Sequence, residues 1–293
     1  MERRRKIDLF SLADANSDYL KKEYKRVKSN STQNKSGLLD NFRKKIQEEW
    51  NLSINMKDWA LMDFLVSGEY KNIYTLKEDQ ADQLVDMGEL KISEKKDSLE
   101  EALRKHLKKY YESRIVFDTS IVDGEKIKYA ALNIGGTGIN CYARYCVIIR
   151  KEDAEGYNSL AFIKNDSAIH YVGNQSILVD RLVHDVSNKE CVSLLAALKH
   201  ESEIEELSAD RWAAVICCDT SYIEGVTGDD ILNTHIRSVR IDKNYYNGIF
   251  KDLLLKLFYS ELSEEEQYRL ALLKRLFAEL EKRSIELEII DEN

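Results

Sequence analysis

The sequence contains no proline, although an average chain of its 293 residues would have about fifteen. Without X-Pro bonds, refolding should lack the slow phase that their isomerisation causes. Glycine is scarce as well, with 12 residues, and no apolar run is long enough to cross a bilayer. These absences predict a chain without a membrane-spanning segment, and we expect no interaction with membranes.

Cysteine and histidine are present without the spacing of a metal site or a disulfide framework. The five cysteines are an odd number without a C-x-x-C pair, and the five histidines are scattered. The basic residues 1–6 resemble the start of a signal peptide, but Asp8, Asp14 and Asp18 interrupt any apolar core after them. We therefore predict no metal, and a reducing cytosol, either that of the cell itself or that of a target cell.

The net charge of −8 argues against a general nucleic-acid-binding protein. The charge is uneven, because residues 1–50 carry 13 Lys/Arg against 8 Asp/Glu, whereas residues 260–293 carry 5 against 10. The two ends could bind each other or different partners, or both could be solvated helical faces.

Hydrophobic periodicity predicts helices, then a mixed sheet, then helices, which is an α+β protein. Predicted helices cover residues 7–28, 38–50, 57–66, 78–88, 98–111, 189–199, 247–259 and 263–284, with a polar linker at 29–37. Predicted strands cover residues 115–117, 126–129, 145–149, 160–163, 169–172, 212–218 and 236–241, and residues 69–75 are predicted as a short strand or an extended segment. Capping boxes at Ser98 and Ser263 mark two of the helix starts. Three regions follow: a helical region at 1–66, an α+β domain at 67–245 and a helical pair at 246–293.

Three of the 12 glycines, Gly135, Gly136 and Gly138, lie between two apolar runs. Glycine lets a ligand approach the main chain closely, but the same cluster is typical of a turn that binds nothing. The spacing is neither that of a dinucleotide fingerprint nor that of a P-loop. Composition and spacing alone therefore leave the function open.

Short segments in the middle of the chain occur in an order that resembles a known family. They are GEYKNIY at 68–74, YESRIVF at 111–117, EKIKYAALN at 125–133, YCVII at 145–149, NDS at 165–167 and YIEGVTG at 222–228. The family is an uncharacterised group of bacterial proteins with an ADP-ribosyltransferase-like fold, related to toxin domains. The resemblance covers roughly residues 68–242. It departs from the family at Lys71, which replaces an arginine, at Ile127, which replaces a proline, and after residue 74, where a T-G-T-S-N-G run is missing.

The resemblance implies that NAD binds in a cleft of a split sheet and loses nicotinamide. A carboxylate below the ribose would stabilise the positive charge that develops there, and Glu224 is the candidate. Arg114 and then Lys71 would hold the diphosphate through charge-assisted hydrogen bonds.

Further binding residues are implied in the same way. Tyr129 or Tyr142 would stack on nicotinamide. Asn133 and the backbone of Gly135 and Gly136 would bind the carboxamide or the ribose hydroxyls. Asp166 and Ser167 would lie on the strand that bears a hydroxyl in such enzymes.

Each residue also has an ordinary structural interpretation. Glu224 could be a solvated turn carboxylate, Lys71 a surface charge, and Arg114 the partner of Glu112 or Asp118. Tyr129 and Tyr142 could be core aromatics, and the pair at 166–167 a turn or helix cap.

Three functions remain open at this point. The first is an NAD-consuming transferase or glycohydrolase that acts as a toxin, effector or phage-defence protein on a protein or nucleic-acid acceptor, with an immunity or antitoxin protein as a further partner. The second is an inactive domain of the same fold that binds a protein. The third is a nucleic-acid-acting defence protein that uses the basic residues 1–50, and its binding would weaken steeply with salt.

Overall fold

The computed structural model describes residues 6–87, 89–259 and 262–291. Gly88, where the sequence predicts the end of a helix, lies outside the described residues. The α-helices are Leu9–Ala15 (α1), Ser17–Asn30 (α2), Gln33–Glu49 (α3), Asp58–Ser67 (α4), Ile73–Asp86 (α5), Lys95–Leu107 (α6), Tyr111–Ser120 (α7), Lys151–Glu155 (α8), Ser167–His170 (α9), Val179–Leu182 (α10), Val192–Lys199 (α11), Trp212–Ile216 (α12), Lys243–Phe258 (α13) and Glu264–Lys282 (α14).

The strands are Asn51–Met56 (β1), Lys128–Asn133 (β2), Tyr145–Ile149 (β3), Leu160–Ile163 (β4), Val172–Gly173 (β5), Ser176–Ile177 (β6), Val186–Asn188 (β7), Glu224–Thr227 (β8), Ile236–Asp242 (β9) and Glu286–Ile290 (β10). Eight of them form one sheet in the order β10-β9-β3-β1-β2-β8-β4-β7, and β5 and β6 form a separate hairpin. Only the β9–β10 pair among the described strand pairs is parallel, so the large sheet is mixed. The predicted α+β class, with helices at both ends of the chain, is confirmed.

Local sequence explains several elements directly. Every residue of β3 is buried, as its apolar, β-branched run requires. Helix α4 ends where Gly68 adopts a left-handed φ of 91° and donates its N–H to the Phe64 carbonyl. The predicted capping box of α14 is present, with the Ser263 hydroxyl and the Glu266 carboxylate each accepting from the backbone of the other residue.

The two faces of the sheet carry separate apolar cores. One contains Leu52 and Phe162 together with the N-terminal helices. The other contains Ile163 and Val226, packed on Phe117 of α7. On this second face, the register places Ser53, Ala131 and Glu224 side by side across β1, β2 and β8. Two small residues therefore lie beside Glu224, and they leave space above the sheet.

Three predicted strands are wrong, and the strand or extended segment predicted at 69–75 is correct only for its first residues. Residues 115–117 lie in α7, residues 212–216 form α12, and residues 167–170 form α9. In the segment 69–75, Glu69 forms a single bridge with Leu232, and α5 begins at Ile73. Short apolar runs do not separate a buried strand from a buried helix turn, which explains the errors at residues 115–117 and 212–218.

Other differences concern boundaries and strands that the sequence did not indicate. The predicted linker at 29–37 is largely helical, since only residues 31 and 32 separate α2 from α3. Ser98 lies inside α6 and does not cap it. Strands β1 and β10 were not predicted, and they lie within the predicted regions 1–66 and 246–293. One sheet thus takes strands from all three predicted regions. Among the described helices, none combines the length and apolar character needed to cross a bilayer.

Candidate functional site

Three side chains from distant parts of the sequence meet on one face of the sheet. The Arg114 guanidinium of α7 stacks on the Tyr129 ring of β2, with 4.0 Å between its Cζ and the ring centroid. Its Nη2 lies 3.4 Å from Oε1 of Glu224 in β8. Its Nη1 donates to the Ser167 hydroxyl at 2.9 Å. The structure therefore brings together four of the predicted site residues.

Glu224 is a buried carboxylate, with 3% of its side chain exposed. Its Oε2 accepts the backbone N–H of Ser167 at 3.0 Å, while Arg114 lies at its other oxygen. Burial raises the pKa of Glu224 to about 7, against the opposing effect of Arg114. A carboxyl group with this pKa changes charge near neutral pH, which suits acid–base or charge-stabilising chemistry.

Asp118 forms a second buried acidic position beside the same guanidinium. Its Oδ1 lies 3.7 Å from Arg114 Nη1 and accepts from the Tyr129 hydroxyl, and its Oδ2 accepts from the Tyr74 hydroxyl at 2.7 Å. Burial raises the pKa of Asp118. Arg114 thus lies between two carboxylates, and the alternative partner Glu112 pairs with Arg104 instead, at 2.6 Å. Tyr74 and Asp118 were not among the predicted site residues, but the i,i+4 spacing of residues 114 and 118 was a usable signal.

Asp166 organises the neighbouring side of the site. Its Oδ2 accepts from the hydroxyls of Tyr142, at 2.8 Å, and Tyr222, at 2.6 Å. Its Oδ1 caps α9 by accepting from the backbone N–H groups of residues 168 and 169. Burial opposes ionisation, but these donors and Arg114 hold the pKa of Asp166 below its ordinary value. The carboxylate is occupied by protein donors, so it positions Ser167 and the two tyrosines.

A cavity of about 360 Å³ opens beside these residues. Ser53, Ala131 and Glu224, which lie side by side across β1, β2 and β8, form its floor. Side chains of α4, α5 and α7 form its wall. Arg114, Asp118, Tyr129, Tyr142, Tyr222 and Glu224 all line it. Tyr222 was not predicted as a site residue, although its place two residues before Glu224 puts both side chains on one face of an extended segment.

Lys71 also lines the cavity, but its ammonium group pairs with Asp79 at 2.8 Å. Lys71 is thus a partly exposed, ion-paired cation at the edge of the cavity, and both its binding role and its interpretation as a surface charge stay predictions. The Asp79 hydrogen bond, opposed by burial, raises the pKa of Lys71, so it stays a cation.

The glycine-rich turn does not reach the cavity in the way the resemblance implied. Asn133, Gly135 and Gly136 are not among the residues that line it. Asn133 accepts from the Gly135 N–H at 2.8 Å and donates to the Gly136 carbonyl at 3.0 Å. A Cβ on Gly136 would lie 2.8 Å from Cys217 Sγ, so glycine is required here by packing against the chain itself. These three residues stabilise a turn, and the same loop brings Tyr142 to the cavity.

Several basic side chains of the N-terminal region face acidic partners. Lys28 pairs with Asp40, and Lys35 with Glu201. Among the described residues, no cluster of three or more histidine, cysteine or acidic side chains has the geometry of a metal site. The chemistry of the cavity is therefore argued from its carboxylates, its arginine and its tyrosines.

Comparison with known proteins adds no relative. No protein-family model matches the chain, and no curated protein sequence matches it.

Proposed function

We propose that the protein cleaves the N-glycosidic bond of NAD and transfers ADP-ribose to a protein or nucleic-acid acceptor, or to water. The observation that carries this proposal is Glu224, an almost fully buried carboxylate at a cavity, fixed by Arg114 and by the Ser167 N–H. A fixed carboxylate in a site from which water is excluded stabilises a cationic sugar more strongly than it stabilises the ground state. Pre-set geometry also avoids the cost of reorganising the group during the reaction.

In the proposed reaction, the bond between ribose C1′ and the nicotinamide nitrogen breaks, and its electron pair goes to nicotinamide. The ribose becomes oxocarbenium-like, and the ionised Glu224 stabilises it. An acceptor oxygen or nitrogen then bonds to C1′, and its proton passes to Glu224. The pKa of about 7 at this carboxyl group is compatible with both steps near neutral pH.

In this proposal, Arg114 has a different role from the one that the resemblance implied. It is held between Glu224 and Asp118, so it orients the carboxylate and is not free to hold a diphosphate. The guanidinium covers one face of Tyr129, whereas Tyr142 and Tyr222 also line the cavity and are assigned to the nicotinamide ring in this proposal.

The proposal places the protein in a cytosol, as a toxin, effector or phage-defence protein. The five cysteines, all within the described residues, form no disulfide bonds with one another, which is compatible with a reducing compartment. A macromolecular acceptor and an immunity or antitoxin protein would be its partners.

Incubation with NAD labelled in the adenylate phosphate, with and without cell lysate, tests the proposal. Wild type should release nicotinamide or label an acceptor, and Glu224→Gln should reduce the rate at least 100-fold while keeping its circular dichroism spectrum. Glu112→Gln is the matched control, because Glu112 is exposed on α7 and its ion pair among the described residues is with Arg104. Equal rates for wild type and Glu224→Gln would overturn the role of this carboxylate, and no turnover of NAD with any lysate would overturn the function.

A second candidate, a binding domain without catalysis, is favoured by one observation. Both cationic side chains assigned to the diphosphate, Arg114 and Lys71, are engaged by carboxylates of the chain. Co-purification of one partner that is unaffected by Glu224→Gln and Arg114→Ala would support this candidate over the transferase.

A further inference from the structure

The charges at the end of the cavity that contains Glu224 are unfavourable for a dianionic group. At its polar end, a single guanidinium faces two carboxylates, those of Asp118 and Glu224. With both acids ionised, this end has a net charge of −1. A diphosphate placed here would meet like charge in a poorly solvated site, where electrostatic interactions are strong.

The same arrangement favours a cationic ring. The carboxylates attract positive charge, and aromatic faces attract cations through their quadrupoles. Tyr142 and Tyr222 pack edge to face at the cavity, with 6.1 Å between their centroids. The nicotinamide ring of NAD is a pyridinium cation while it is bonded to ribose.

The remainder of the cavity is lined mainly by apolar and aromatic side chains. They include Phe64, Tyr70, Leu76, Leu107 and Ile127. A flat ring with its sugar suits such a wall, and the cavity volume of about 360 Å³ is at the small end of the range for ligand sites. The space is therefore suited to a nucleoside-sized group.

We infer that the cavity recognises the cationic N-ribosylpyridinium half of its substrate, so that a phosphate-free pyridinium riboside is itself bound and cleaved. This inference rests on the proposed function and specifies its substrate class. The diphosphate and the adenosine of NAD would lie outside the cavity and contribute little to recognition.

The reaction of the riboside balances without a further reactant. Water bonds to C1′ as the C1′–N bond breaks, the electron pair goes to the pyridine nitrogen, and one proton is released through Glu224. Ribose and neutral nicotinamide are the products.

Two measurements test the inference, and they separate its failure from that of the proposed function. The first is binding, by calorimetry, of nicotinamide riboside, its reduced form with an uncharged ring, and ADP-ribose. We expect the cationic riboside to bind at least tenfold more tightly than either of the others. Tighter binding of ADP-ribose would overturn the inference whether or not NAD is cleaved.

The second measurement is kcat/KM for nicotinamide riboside and for NAD. Values within tenfold of each other are expected, and a preference for NAD of 100-fold or more would overturn the inference while leaving the function intact. Absence of cleavage of both, with tight riboside binding, would overturn the proposed function and the cleavage of the riboside, and would leave only the recognition of the cationic ring.

Ala131→Leu locates the binding site, because Ala131 lies in the floor beside Glu224 without contributing a polar group. It should abolish riboside binding. Val66→Leu enlarges an exposed apolar side chain of α4 by one methylene group and should change nothing. Unchanged riboside binding by a folded Ala131→Leu protein would place the ligand elsewhere and overturn the inference.

Discussion

Glu224 is a residue whose environment, more than its identity, determines its chemistry. An exposed glutamate at the same place in the sequence would be ionised throughout the neutral range. Burial on the sheet face, followed by the compensating contacts of Arg114 and Ser167, brings its pKa to about 7. This shift links the stability of the protein to pH as well as its proposed activity.

Between pH 5 and pH 8, wild type should lose stability relative to Glu224→Gln. The pKa of Glu224 in the folded protein is above its value in the unfolded chain, so the native state binds the proton more tightly. The protonated carboxyl group therefore contributes stability that is complete below about pH 4.5 and is lost as the pH rises through 7. The difference between the two proteins should change by up to about 3 kcal/mol. Urea unfolding of both proteins at pH 5 and pH 8 measures it.

Subtracting the variant from wild type cancels the titration of the other groups. A difference that stays constant, or that changes in favour of wild type as the pH rises, would show that Glu224 is not the group with the raised pKa. Because the proposed reaction uses the ionised carboxylate of Glu224, kcat/KM should rise with pH below 7 and level off above it.

At the residue scale, residue types and local spacing identified part of the site. Arg114, Tyr129 and Glu224 were predicted together, and the structure brings them into contact. Asp118 was predicted only as one of two alternative ion-pair partners of Arg114. The sequence does not show which face of the helix is buried, so it could not distinguish Asp118 from Glu112. Asn133 was assigned to a ligand because an amide beside glycines looks available, but its amide forms hydrogen bonds with its own turn and with Cys146 of β3 and Arg240 of β9.

At the scale of elements, the loop after β2 is fixed by an asparagine from a different strand. Asn55 of β1 donates to the carbonyls of Thr137 and Ala143, at 3.0 and 2.9 Å, and accepts from the Ile139 N–H at 2.7 Å. These three bonds hold the loop that carries Tyr142 over the cavity. Gly138 lies at the closest approach, with φ of 71°.

Gly138→Ala should destabilise the protein by about 1–3 kcal/mol, because a left-handed non-glycine residue is strained. The new Cβ would also lie 2.2 Å from Asn55 Oδ1 and 2.7 Å from Cys146 Sγ. Gly37→Ala is the control with the opposite sign, since Gly37 lies inside α3 with nothing within 4 Å of its added Cβ. It should stabilise the protein by roughly 0.5–1 kcal/mol. Thermal and urea unfolding measure both, and a neutral Gly138→Ala would show that the loop is not held by Asn55.

Elements with a strong pattern were predicted correctly, and those with a weak pattern were not. Strands β3 and β4 match their predicted bounds because buried, β-branched runs between turn signals have few alternatives. Helix α12 was predicted as a strand because its apolar residues form a short continuous run, which tertiary packing made helical. In strand β1, two asparagines and a serine alternate with the apolar residues, so there is no continuous apolar run to indicate its central place in the sheet.

At the scale of the whole molecule, that strand connects the predicted regions. Strand β1 is paired on both sides, with β2 and β3, and supplies Leu52, Ile54 and Met56 to the main core. It comes from the N-terminal region of the sequence, while its neighbours come from the central region. The sheet therefore requires a segment outside the predicted domain at 67–245.

A fragment of residues 67–245 should not fold by itself. Removing β1 leaves β2 and β3 without their shared partner and removes the apolar side chains between them, so two unpaired edges and an open core would remain. A chain ending at residue 284 is the matched control, because it loses β10 from the edge of the sheet, where only β9 is paired to it. The control should still unfold cooperatively in urea, with a lower midpoint because Arg240 loses its 2.7 Å contact with Glu288. The fragment should show no cooperative transition, and a sigmoidal transition with native circular dichroism would mean that the central region is an independent domain and that β1 only adds to it.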